Sequence, residues 1–140
     1  MSEAIKGLLD INVLVAHAVI EHEHHRPVVA WHRRVSGKAE LFSCLITELG
    51  LVRNLMRMLN LSIGDARRLL ANERENLGLT FLPDTPGVEI LPDWIQGYRQ
   101  TTDAYLVKLA EAHQLRFVTL DKRVPGVIAI LDSAEKRDRH

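Results

Sequence analysis

Short apolar runs alternate along this chain with segments whose apolar residues recur every three or four positions. The runs read as strands covered on both faces, the recurring segments as amphipathic helices. Their alternation predicts an α/β domain with a central, mainly parallel sheet. Expected strands are residues 5–9, 40–44, 79–82, 116–120 and 127–131. The intervening helices carry their own punctuation. One follows the first strand over about residues 12–20. The next has Pro27 in its first turn and Val28, Trp31 and Val35 on one face, and it stops at Ser36-Gly37. Leu45, Leu49, Val52, Met56 and Leu59 recur at helical spacing as the apolar side of a third. Ser62 with Asp65 resembles a capping box, and Gly78 a C-cap, around Ile63, Ala66, Leu69 and Leu70. After a turn-rich stretch from Pro83 to Pro92, a short helix is expected near residues 94–99. A longer one runs over 103–113, with Thr102 as its N-cap and Leu106, Val107 and Ala110 facing the core.

A length of 140 residues suits one domain, expected over residues 1–131, with a charged tail at 132–140 that frays. Such a chain buries roughly 68–70% of its unfolded surface and needs no disulfide staple. Cys44 is the only cysteine, which fits a reducing cytoplasm. No apolar run reaches the ~20 residues of a membrane span, and no signal peptide opens the chain. Eighteen basic and 18 acidic side chains give a net charge of zero. A generally basic nucleic-acid coat is excluded, so contact with nucleic acid must use a local patch or metal ions.

Two expected strands end in acid: Leu8-Leu9-Asp10 and Thr119-Leu120-Asp121. Open parallel sheets bind ligands beyond their strands' carboxyl ends, so both carboxylates are delivered to one rim. Glu48, with Leu45, Val52 and Leu55 at helical spacing around it, sits on an inward-facing stripe. Asp103 precedes Leu106, Val107 and Ala110 in the same way. Taken singly, Asp10 and Asp121 could be turn formers, Asp103 a first-turn acid favoured by the helix dipole, and Glu48 a partner of Arg53 or Arg57. Taken together they form a cluster that cannot stay fully charged and empty, because carboxylates 4 Å apart repel by about 4 kcal/mol at an effective dielectric near 20. Hard oxygen ligands select Mg²⁺ or Mn²⁺, and a cation at an open rim implies metal-assisted phosphodiester hydrolysis.

The residues then resemble a known family. Leu9-Asp10-Ile11-Asn12-Val13-Leu14 resembles the opening motif of PIN-domain nucleases, Glu48 after a short strand matches the second acid, Thr102-Asp103-Ala104-Tyr105-Leu106 the third motif and Thr119-Leu120-Asp121 the fourth. The order holds over residues 5–131, and the compact size is most similar to VapC-type toxins of toxin–antitoxin pairs. The resemblance implies a PIN-like α/β/α sandwich and an Mg²⁺- or Mn²⁺-dependent endoribonuclease acting on structured RNA, often tRNA or rRNA. It also implies a homodimer silenced by a cognate antitoxin. Asp10, Glu48, Asp103 and Asp121 would form the catalytic metal site, Asn12 and Thr119 would support it, and Lys122 and Arg123 would contact phosphate. One departure is Val124, where many members have an aromatic residue.

Five of the seven histidines fall between His17 and His32, with no strong zinc spacing, and are expected on surface helix and loop. Arg33, Arg34, Arg53, Arg57, Arg67 and Arg68 could form a basic lip around the acidic centre. Trp31 and Trp94 are expected as core or interface aromatics, and the face bearing Val52, Leu55, Met56 and Leu59 as a dimer contact. A haloacid-dehalogenase-type phosphatase is disfavoured because Asn12 stands where its second Asp is needed. A receiver domain is disfavoured because the strand at 40–44 ends without acid. A non-catalytic PIN-like module that binds RNA or protein remains the alternative.

Overall fold

The computed structural model describes residues 4–83, 86–122 and 126–132. Among these, five parallel strands form one sheet in the order β3-β2-β1-β4-β5. They are β1 (Ile5–Leu9), β2 (Ala39–Cys44), β3 (Leu79–Leu82), β4 (Arg116–Thr119) and β5 (Ile128–Ala129). The chain moves outward from β1 through β2 to β3, then returns to lay β4 on the other side of β1. The order therefore reverses between β1 and β4, and their carboxyl ends open a crevice there.

Four helices fill the connections before β3: α1 (Ile11–Ala18), α2 (His25–Val35), α3 (Leu45–Leu59) and α4 (Ile63–Leu77). They share a core with Leu9, Leu41 and Val118. The return crossover carries α5 (Thr101–Ala112), which packs on Leu8 and Phe117 on the opposite face. Alternation along each strand makes this sandwich: Leu8 and Leu9, adjacent in sequence, point into different layers. No helix among the described residues is long and apolar enough to cross a membrane.

Local chemistry explains most boundaries. Ser62 Oγ accepts from the Asp65 N–H at 3.1 Å, and Gly78 closes α4 at φ 62°. Val28, Trp31 and Val35 are the buried face of α2. Elsewhere the structure departs from expectation. The buried face of α3 is Thr47, Glu48, Gly50, Leu51 and Leu55, whereas Leu45, Leu49, Met56 and Leu59 are exposed. Gly50 sets this orientation, because a Cβ there would lie 2.5–3.0 Å from three side-chain atoms of Ile11. Leu55 is wholly buried within the chain and cannot serve a dimer contact. Thr102 does not cap α5. A 3-10 turn at Tyr98–Gln100 runs straight into the helix, and Thr101 Oγ1 donates to the Tyr98 carbonyl at 2.7 Å. Apart from that turn, the helix expected near 94–99 is absent. The last strand has two residues, and the chain turns helical at residue 130.

Candidate active site

Asp10 follows the last residue of β1 and is the N-cap of α1. Its backbone N–H donates to the Val118 carbonyl at 2.8 Å, which ties it to β4 at the reversal point. Its carboxylate is buried and accepts from the Ile11 N–H at 2.7 Å, where the positive end of the helix dipole favours an anion. Thr119, at the end of β4, donates its hydroxyl to Asp10 Oδ2 at 2.8 Å and accepts from Asn12 Nδ2 at 3.1 Å. Asn12 and Thr119 thus fix one carboxylate oxygen from two separate elements.

Asp10, Asn12 and Asp103 line one cleft of about 380 Å³, with His22, Asn54 and Arg57 on its walls. Asp103 reaches it from the first turn of α5, on the far layer of the sandwich. Arg57 donates to Asn54 Oδ1 at 2.8 Å, and Asn54 Nδ2 to the Gly50 carbonyl at 2.8 Å, so the basic wall is braced on α3. Burial, and then neighbouring His24, hold His22 below the usual histidine pKa. Of the six arginines expected as a basic lip, Arg57 lines this cleft, and Arg68 pairs with Asp65 at 2.7 Å instead.

Glu48 is buried as expected, but its partner is neither Arg53 nor Arg57. Ser43 Oγ donates to Oε2 at 2.6 Å, Arg74 Nε donates to Oε2 at 3.0 Å, and Arg74 Nη2 donates to Oε1. The hydrogen bonds from Arg74 to Glu48, outweighing partial burial, raise the guanidinium's pKa further. Asp121 lies two residues beyond β4, partly buried at the same rim, and Lys122 beside it is exposed. Arg123 and Val124 lie outside the described residues. Asp10 and Asp103 therefore share a cleft that neither Glu48 nor Asp121 lines. Among the described residues, no three His, Cys, Asp or Glu side chains converge as a ready-made metal cage. Two carboxylates and a carboxamide still fit a hard cation, since Mg²⁺ keeps several waters and takes one or two protein carboxylates.

The histidines are not simple surface groups. His17, at the end of α1, pairs through Nδ1 with Glu73 Oε2 of α4 at 2.5 Å, both largely buried. His32 of α2 packs edge-on against the His17 ring at 5.6 Å, and burial, then His17, lower its pKa. Sequence reasoning missed both α4 partners, Glu73 and Arg74. The available signal was that Glu73 follows Leu69 and Leu70 by four and three residues, on the helix's inner side, with Arg74 next to it.

The fold and this crevice define a doubly wound α/β/α sandwich with acidic side chains at its switch point. The chain belongs to the PIN-domain family, whose model matches residues 7–128. It is 40% identical over 125 residues to Ribonuclease VapC38 of Mycobacterium tuberculosis, spanning 84% of this chain and 86% of that protein. It is 35% identical over 130 residues to Ribonuclease VapC29 of the same organism, spanning 89% and 94%. In structure it is similar to a chain of VapBC2 from Rickettsia felis bound to a promoter DNA fragment, with a TM-score of 0.64 and 14% identity over 89% of this chain and 97% of that one.

Proposed function

We propose that this protein is a metal-dependent endoribonuclease, the toxin of a toxin–antitoxin pair, which hydrolyses RNA phosphodiester bonds. The observation that carries this reading is the meeting of Asp10 and Asp103 in one polar cleft at the switch point of a PIN-domain sheet. Asp10 and Asp103 would hold Mg²⁺ or Mn²⁺, with Asp121 close by at the rim and Glu48 able to join only as argued below. When bound, the cation supplies neutralisation of phosphate charge and a lowered pKa of coordinated water. Thr119 and Asn12 keep the Asp10 carboxylate oriented, so no rearrangement is needed as charge develops.

Arg57 and Asn54 stand where an RNA backbone would cross the cleft, and Lys122 and Arg123 would extend the phosphate contacts. Partners follow from the same reading: structured RNA such as tRNA or rRNA, and a cognate antitoxin, as the pairing named in VapBC2 suggests. A second copy of the chain would use the exposed leucines and methionines of α3, in a cytoplasmic setting. The test is cleavage of total RNA by the purified chain with Mn²⁺, together with its melting temperature. Asp10→Asn should lose cleavage and the Mn²⁺-dependent rise in melting temperature, since binding to the native state adds stability. Retained cleavage in Asp10→Asn would refute the assignment.

A further inference from the structure

Both oxygens of Glu48 are taken by a cation of the chain itself. The pairing is side-on: Nε and Nη2 of Arg74 address the two oxygens, and Ser43 adds a third donor. A planar guanidinium fork satisfies a carboxylate fully in this geometry, with the specificity of a bidentate pair. The partners differ in exposure. The Glu48 side chain is 7% exposed and that of Arg74 49%. Arg74 can therefore swing into solvent without leaving a second buried charge, whereas Glu48 cannot leave. Ser43 is at the carboxyl end of β2, next to β1, so the pair sits at the rim that carries Asp10.

We infer that Arg74 is a positioning residue that holds Glu48 as a self-contained ion pair, so that the resting protein binds its cation through Asp10 and Asp103 and recruits Glu48 only when the guanidinium is displaced. This rests on the metal-site reading above, and it reverses the role expected for Glu48 from its place in the motif order. A carboxylate with its charge already balanced gains little from a divalent ion nearby. Once Arg74 is removed, the same buried carboxylate lacks a counter-charge and a divalent cation becomes its natural partner.

The test is a double-mutant cycle on the full-length chain, with Mn²⁺ binding followed by calorimetry or by the EPR signal of free Mn²⁺. In the wild-type background Glu48→Gln should change the Mn²⁺ Kd less than about twofold. Arg74→Met should tighten it by roughly tenfold or more, the scale on which outer-shell partners tune metal affinity, and adding Glu48→Gln should return it to the wild-type value. Arg74→Lys, which keeps the charge but loses the fork, should fall between. An equal loss of affinity on Glu48→Gln in both backgrounds would overturn the inference, because Glu48 would then be a ligand at rest. No tightening in either Arg74 variant would overturn it equally.

Metal-free unfolding provides an independent arm. Arg74→Met should melt below the Glu48→Gln/Arg74→Met double variant, since only the single variant strands a buried charge. A double variant no more stable than Arg74→Met would overturn the pair. Asp10→Asn separates the two readings: unchanged Mn²⁺ affinity there sinks the metal site at Asp10, while the metal-free arm still decides the Arg74–Glu48 pair.

Discussion

Replacing Gly50 by alanine sets two well-characterised effects against each other. Gly50 lies inside α3, where alanine is favoured over glycine by about 0.8–1.0 kcal/mol. On an open helix the substitution would stabilise. Here the new methyl would lie 2.5 Å from Ile11 Cδ1, 2.7 Å from Cγ1 and 3.0 Å from Cγ2. Rotation of χ1 cannot clear all three, because Cγ1 and Cγ2 branch from the same carbon. Ile11 is also the first residue of α1 and is held beside Asp10 by the Ile11 N–H hydrogen bond. Overpacking of this kind costs about 1–3 kcal/mol, so the net expectation is a loss of ~1 kcal/mol and a melting temperature lower by roughly 3–5 °C. Ile11→Ala removes all three of these atoms. In that background Gly50→Ala should change sign and stabilise by up to about 1 kcal/mol, the helix-propensity term alone. Urea denaturation of the four proteins at constant m-value reads both signs. Stabilisation by Gly50→Ala in the wild-type background would refute the view that close approach of α1 and α3 dictates the glycine.

Other outcomes are equally checkable. Thr119→Val removes the hydroxyl that donates to Asp10 and should cost about 1–3 kcal/mol in urea denaturation, with a fall in RNA cleavage that Thr119→Ser largely restores. The pKa of His32 is lowered, so the folded state binds its proton less readily than the unfolded one. Its neutral form contributes stability above the reference value of 6.5, and that stability is lost as pH falls through the lower folded value. His32→Gln should therefore flatten the fall in urea midpoint between pH 7.5 and pH 5.5, and an unchanged slope would count against it. Ser62→Ala removes the N-cap of α4 and should cost about 1 kcal/mol, read as a lower urea midpoint without loss of Asp10-dependent cleavage.

What was legible in the sequence was local. Ser62 and Gly78 bracket α4 because a cap acts over three or four residues and has its own residue types. Asp10 marked the rim that carries the candidate cleft, because an apolar strand ending in acid combines two local signals. Pairing across helices left no such trace. Arg74 is 26 residues from Glu48 and His17 is 56 from Glu73, and the helical position that marks Glu73 as inward-facing does not say which charge it meets. The facing of α3 was misread for a different reason. Periodicity identifies an apolar stripe but not what covers it, and Leu45 and Leu49 form a stripe as regular as that of Leu51 and Leu55. Gly50 was the usable clue, since a glycine inside a helix is retained where backbones approach closely. The expected cap at Thr102 failed because a 3-10 turn led into α5 and made a capping side chain unnecessary.

The sheet's strand order also has a consequence in time. A ribosome makes Asp10 well before the hydroxyl that orients it, which arrives 109 residues later. Until β4 slides in beside β1, a growing chain has three strands and an outer edge where the crevice will be. Whatever chemistry the crevice performs is thereby withheld from nascent protein and from fragments truncated before Thr119. Synthesis of β4 is itself the arming step.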